Sequence, residues 1–137
     1  MPFWGVKKLA LLICAACLLA LALNTQAASA PSKTPRGKLT HVVSLKFKEA
    51  ATLEQIKEVE IAFQDLKKKI PQIVSMEWGT NNSPENLNKG FTHGFVLTFK
   101  TEKDRDAYLV HPDHKAFGKL VGGVLADVFV LDFLAKE

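Results

Sequence analysis

Residues 91–114 read FTHGFVLTFKTEKDRDAYLVHPDH, and this stretch decides the fold. Aromatic, aliphatic or histidine side chains occupy every second position of residues 91–99, a period of two that is typical of a strand. Thr101 follows immediately, and the next residues are charged, with acids among them. A hydroxyl residue ahead of acidic residues is a common helix start. The stretch therefore predicts a strand over residues 91–100 that leads directly into a helix.

This helical region is predicted to run from Thr101 to about Leu120 with one interruption. Pro112 lacks an amide hydrogen, and the residue before a proline avoids the helical conformation. We therefore expect the helix to stop at about Val110 and to resume from Pro112 onward. Residues 122–123 are both glycine and end the region.

The sequence before this stretch predicts a strand and a long helix. Residues 38–47 alternate again, with β-branched residues among them, and indicate a strand. Thr52 and Gln55 have the spacing of a capping box, in which each side chain bonds the other residue's backbone amide. Apolar residues then recur at helical spacing and form one stripe: Ile56, Val59, Phe63, Leu66 and Ile70. Pro71 ends the helix.

Two further strands, over residues 73–80 and 127–133, complete the order β-α-β-β-α-β, with a long polar loop over residues 79–90. This order predicts an α+β, ferredoxin-like subunit: a four-stranded antiparallel sheet with helices on one face. The opposite face has a mixed, partly apolar composition, and its members are Thr40, Val42, Ser44, Thr92, Val96 and Thr98. An uncovered, partly apolar face predicts a homodimer that forms through the sheet.

The N-terminal segment has the composition of a secretory signal peptide. Two lysines at residues 7–8 precede an apolar run over residues 9–23, and small and polar residues follow. We assign residues 1–27 to the signal peptide, residues 28–37 to a linker and residues 38–137 to one domain. The chain is therefore expected to be exported, periplasmic or secreted, and free of the membrane after cleavage.

Two alternatives for this segment stay open. An uncleaved leader would anchor the chain, although an apolar helix of this length spans roughly 22 Å, against a hydrocarbon core of about 30 Å. Lipidation of Cys17 would anchor it in another way. If the leader is removed, both cysteines (Cys14 and Cys17) are lost, which excludes disulfides and thiolate chemistry in the mature chain.

The distribution of charge argues against a nucleic-acid partner. The chain has 18 basic and 14 acidic residues, a net charge of +4. Four of the basic residues, and no acid, lie in residues 1–37, so the domain is balanced. A balanced domain has no net field with which to attract a polyanion.

The candidate site consists of histidines and the only tyrosine. His41 and His93 fall on the apolar faces of two strands, and Tyr108 and His114 come from the helical region that should cover them. We predict that these four line one cavity, with Phe63, Phe95 and Trp78 as further ligand-binding residues. The alternative is structural: the histidines bond one another or the backbone, and His114 stays in solvent.

The chemistry open to such a site is proton transfer. A neutral imidazole, here His114, accepts a proton near pH 7, and the Tyr108 phenol donates a hydrogen bond to a developing oxyanion. The spacing of His111 and His114 is poor for two metal ligands on one helix, and no acidic cluster accompanies them. We therefore expect neither a metal nor a cofactor.

Several segments together resemble one family, the stress-responsive A/B barrel (Dabb) domains. They are HVVSLKFK at 41–48, WG at 78–79, KGFTHGF at 89–95, AYLVHPDH at 107–114 and VLDF at 130–133. The resemblance covers residues 38–134 and implies a subunit that dimerises sheet to sheet into an α+β barrel. In a plant member that closes a polyketide chain, the catalytic histidine and tyrosine match His114 and Tyr108. Two further pocket histidines match His41 and His93.

Three functions are consistent with these observations. The leading hypothesis is an exported protein that binds a small apolar or aromatic molecule between sheet and helices, with a role in stress. The second is a cyclase-like or lyase-like enzyme that uses Tyr108 and His114. The third is a structural dimer without a ligand.

Overall fold

A computed structural model describes residues 37–136. The predicted signal peptide, both cysteines and nearly all of the predicted linker lie outside the described residues. No helix within residues 37–136 is long and apolar enough to cross a membrane.

Four strands and three helices make up the described domain. In chain order they are β1 (Leu39–Phe47), α1 (Leu53–Lys69), β2 (Ser75–Thr80), β3 (His93–Phe99), α2 (Glu102–Val110), α3 (Pro112–Gly122) and β4 (Leu125–Leu134). The strands form one sheet in the order β2-β3-β1-β4. Every neighbouring pair is antiparallel. The predicted α+β, ferredoxin-like sheet is confirmed, and β4 is longer at both ends than the sequence indicated.

The helix starts follow the predicted capping chemistry. Thr52 accepts a hydrogen bond from the Gln55 amide, and the Gln55 side chain accepts one from the Thr52 amide, which completes the capping box. Thr101 caps α2 by accepting from the Asp104 amide. Pro112 is the first residue of α3, where its missing amide hydrogen costs nothing. The predicted second helical region is therefore two separate helices.

Alternation in the central strands separates a core face from an outer face. Along β1 and β3, buried residues alternate with half-buried ones. The buried side chains meet the apolar stripe of α1, and the core they form consists of Leu39, Val43, Leu45, Val59, Phe63, Leu66, Ile70, Ile73, Phe95, Leu97, Phe99 and Tyr108. The half-buried residues of these strands point to the outer face, away from this core.

The edge strand β4 is apolar and largely exposed. Its register against β1 puts Phe129, Leu131 and Phe133 on the outer face. These three side chains are 49%, 50% and 45% exposed. Exposed apolar residues along an edge strand are unusual in a domain that stays alone in solution, because such a strand invites pairing or burial.

Candidate functional site

Tyr108 lies at the centre of the candidate site, between two histidines. Its side chain projects from α2 toward the sheet and is only 1% exposed. The ring centroid is 5.7 Å from that of His41 on β1 and 4.3 Å from that of His114 on α3. Phe99 packs against the same ring at 5.2 Å. The structure thus brings together three of the four residues that the sequence singled out for one cavity.

His41 is held by a hydrogen bond to Asp132, which also binds Arg105 on α2. Its Nδ1 donates to Oδ1 of Asp132 over 2.5 Å, and Arg105 Nη1 donates to the other carboxylate oxygen. Asp132 is opposite His41 in the pairing of β1 with β4. The carboxylate fixes the orientation and tautomer of the imidazole, a common arrangement for a functional histidine.

Sequence reasoning missed Asp132, although a signal was present. Asp132 shares the strand phase of Val128 and Val130, so it is an acid at a position that points toward the helices. A carboxylate in that phase needs a cationic or hydrogen-bonding partner. The facing His41 and the nearby Arg105 meet that need.

His114 presents one ring nitrogen as a proton acceptor. Its Nδ1 lies 3.1 Å from the carbonyl oxygen of Leu109, so Nδ1 must carry the hydrogen and donate. In the neutral ring Nε2 is then unprotonated. Burial lowers the pKa of His114 below its ordinary value of 6.5, which favours this neutral form near pH 7. His114 is therefore suited to act as a base.

Tyr108 is suited to donate a hydrogen bond. Burial raises the pKa of Tyr108 far above its ordinary value of 10.0, and the charge of Asp132 raises it further. The phenol therefore stays protonated at any physiological pH. A neutral donor beside a neutral acceptor can bind a carbonyl or hydroxyl group and can move a proton.

His93 lies apart from this group. It pairs with Leu45 across the sheet, four residues along β3 from Leu97, which pairs with His41. Four residues correspond to about 13 Å along a strand. His93 therefore lies away from the three other residues that were predicted to line one cavity with it.

Both ring nitrogens of His93 are engaged by protein groups. Nε2 donates to Oε1 of Glu60 over 2.9 Å, and the Thr92 hydroxyl lies 2.8 Å from Nδ1. Sequence reasoning missed Glu60, which lies four residues after Ile56 and three before Phe63, on the border of the apolar stripe of α1. An acid on that border was the available signal.

The three predicted aromatic ligand residues form a stack. The rings of Phe63 and Phe95 are 3.9 Å apart and nearly parallel, and the Trp78 ring lies 5.5 Å from Phe95, again nearly parallel to it. Phe63 and Phe95 are buried in the core, while Trp78 is 39% exposed. Their role in binding a ligand stays a prediction, and only Trp78 is directly accessible.

An open groove of about 660 Å³ lies at the end of the sheet near Trp78. It includes His93 and the outer-face residues Ser44, Gly79, Gly94, Val96 and Phe129. Tyr108 and His114 are not among its lining residues. The predicted ligand residues thus fall into two places: Tyr108, His114 and His41 in one, and His93 with Trp78 in the other.

Across residues 37–136, no group of three or more His, Cys, Asp or Glu side chains is arranged to hold a metal ion.

The fold and the site together define a class: ferredoxin-like α+β domains with a histidine–tyrosine pair between sheet and helices. Residues 39–135 match the family model of the stress responsive A/B barrel domain. The chain belongs to this Dabb family, which confirms the resemblance seen in the sequence.

Two curated plant proteins are similar over most of their length. The chain is 33% identical over 98 residues to the stress-response A/B barrel domain-containing protein HS1 of Arabidopsis thaliana, covering 72% of this chain and 90% of that protein. It is 27% identical over 97 residues to olivetolic acid cyclase of Cannabis sativa, covering 71% of this chain and 96% of the cyclase.

Two solved structures are also similar to this chain over most of their length. The hydroxynitrile lyase from Passiflora edulis superposes with a TM-score of 0.71 at 25% identity, covering 75% of this chain and 97% of the lyase. A protein of unknown function from Jannaschia sp., described as dimeric and ferredoxin-like, superposes with a TM-score of 0.62 at 26% identity, covering 71% of this chain and 98% of that one.

Proposed function

We propose that this domain binds a small, largely apolar or aromatic molecule through a carbonyl or hydroxyl group at the Tyr108–His114 pair. The observation that supports this is the pairing itself: a neutral phenol donor and an unprotonated Nε2, on rings 4.3 Å apart. A polar group of a ligand would then meet a donor and an acceptor together. The adjacent Leu109 and Val110 are 41% and 64% exposed and provide apolar surface on the same turn.

Binding is tested by a thermal-shift screen of the purified protein against phenolic and fatty compounds that carry a carbonyl or hydroxyl. We expect at least one hit whose stabilising effect is lost in His114→Ala and reduced in Tyr108→Phe. Loss of one hydrogen bond to a ligand costs about 1 kcal/mol, or roughly a fivefold change in affinity.

His93→Gln serves as the matched control, because it changes a histidine in the other location. It should leave the hit unchanged. A hit that His93→Gln removes and His114→Ala leaves intact would place the ligand in the groove beside Trp78 and contradict the proposal.

A second candidate is an enzyme that transfers protons with the same pair. His114 would remove a proton through Nε2, and Tyr108 would donate a hydrogen bond to the oxygen on which negative charge develops. The names of two similar proteins, a cyclase and a hydroxynitrile lyase, favour this candidate. Assays for closure of a polyketide chain and for release of cyanide from a cyanohydrin test it. Turnover that survives in both His114→Ala and Tyr108→Phe would exclude the pair as its source.

The domain is also proposed to form a homodimer through the outer face of the sheet. The exposed apolar residues of β4 support this, and so does the similarity to a protein described as dimeric. Without such a partner, the outer face would leave three large apolar side chains about half exposed.

Export remains a proposal from the sequence of residues 1–27. A secreted or periplasmic protein whose measured mass corresponds to residues 28–137 would support it. A protein in the membrane fraction whose mass corresponds to residues 1–137 would contradict it. A role in stress also stays a prediction.

A further inference from the structure

The strand register aligns the outer-face residues into rows that cross the sheet. One row runs from Phe129 on β4 to Ser44 on β1, Gly94 on β3 and Gly79 on β2. Bulk therefore decreases along the row, from an aromatic ring at one edge of the sheet to two residues without side chains at the other.

This row differs from the next two rows toward the C-terminal end of β4. Those two rows carry a side chain on every strand: Leu131, Val42, Val96 and Glu77 in one, Phe133, Thr40, Thr98 and Ser75 in the other. A Cβ added at Gly79 or at Gly94 would meet no atom within 4 Å. The two glycines therefore form the floor of a depression, and this depression is part of the groove near Trp78.

A row with a ring at one end and a depression at the other is complementary to a second copy of itself. A two-fold axis parallel to the strands turns one sheet over onto the other and brings β4 of each copy over β2 and β3 of its partner. Two-fold interfaces require this kind of self-complementarity. The same row then supplies both the knob, Phe129, and the site that receives it.

We propose that two copies of this chain pack outer face to outer face with each Phe129 ring seated on the partner's Gly79–Gly94 depression. This inference rests on the proposed homodimer and specifies its orientation and its central contact. It also means that the partner's Phe129 enters the groove that contains Trp78 and His93, so this groove is completed by the second copy.

The size of the face suits a stable dimer. A four-stranded face with strands of this length covers on the order of 500 Å² in projection, and its corrugated surface is larger. Stable dimers bury about 800 Å² per partner. Aromatic residues that fill a pocket on the partner contribute strongly to such interfaces, and this geometry gives Phe129 that role.

Variants that exchange the large and small side chains of this contact test it. The protein is purified from cells that express the full-length chain. Gly94→Val fills the depression, and Phe129→Ala removes the ring. Each is expected to raise the dimer dissociation constant about 30-fold or more in sedimentation experiments. The double variant restores the fit and should recover most of that loss. Phe133→Ala combined with Gly94→Val is the matched control, because its two sites lie in different rows and should show no recovery.

The outcomes separate this proposal from the proposed dimer. A wild-type protein that is monomeric at micromolar concentration would overturn both. If the wild type is a dimer but Gly94→Val leaves its dissociation constant unchanged, the contact between Phe129 and the two glycines is wrong and the dimer itself is not contradicted. The same holds if the double variant shows no recovery. If circular dichroism shows that Gly94→Val does not fold, Gly79→Val replaces it, since that position is equally open within one copy.

Discussion

Replacement of Phe95 by alanine is expected to lower the free energy of unfolding by about 3–5 kcal/mol. Phe95 is fully buried on β3 and stacks with both Phe63 and Trp78. Removing it deletes both stacking contacts and leaves a cavity between α1 and the sheet. Urea unfolding followed by circular dichroism measures the change, and a constant slope with denaturant shows that the native state is otherwise intact.

Leu53→Ala is the control for this prediction. Leu53 is 79% exposed at the start of α1, so its truncation should change stability by less than about 0.5 kcal/mol. Equal losses in the two variants would contradict the view that the stack is the centre of the core.

The second large effect is expected for Asp132→Ala. This change leaves Nδ1 of His41 without its acceptor and removes one of two carboxylates that bind Arg105. Because the ion pair is largely shielded from solvent, the expected loss of stability is about 2–3 kcal/mol. The variant should also lower the pKa of Tyr108, since part of its elevation comes from the charge of Asp132.

The chain offers two direct checks of this prediction. Asp106 bonds the same Arg105 but is 65% exposed, so Asp106→Ala should cost less than about 1 kcal/mol. Tyr108 is the only tyrosine, so the ultraviolet absorbance of its phenolate reports its ionisation alone. An unchanged alkaline titration in Asp132→Ala would contradict the electrostatic link between the two residues.

Local sequence rules predicted most of the fold. The alternation in residues 91–99 placed β3 and its buried face, and Thr52, Gln55 and Thr101 placed the starts of α1 and α2. These signals are reliable because they depend on neighbours in sequence: a cap bonds an amide three residues away, and a strand face repeats every second residue. The division of the last helical region into α2 and α3 at Pro112 has the same local origin.

The site was predictable only in part, because it depends on register. The phases of His41 and Tyr108 correctly brought them together, but no local rule sets how far along the sheet His93 lies from them. Asp132 and Glu60 become visible as partners only when strand pairing and helix packing are known. The same holds for the row of Phe129, Ser44, Gly94 and Gly79, in which each residue comes from a different strand.

The central claim is that Tyr108 and His114 form the site that binds a small molecule. Isothermal titration of the strongest hit from the thermal-shift screen tests it most directly, with wild type, Tyr108→Phe, His114→Ala and His93→Gln compared. The account predicts affinity about fivefold weaker in Tyr108→Phe, at least as weak in His114→Ala, and unchanged in His93→Gln, with all three variants folded. Wild-type affinity in both Tyr108→Phe and His114→Ala would contradict it.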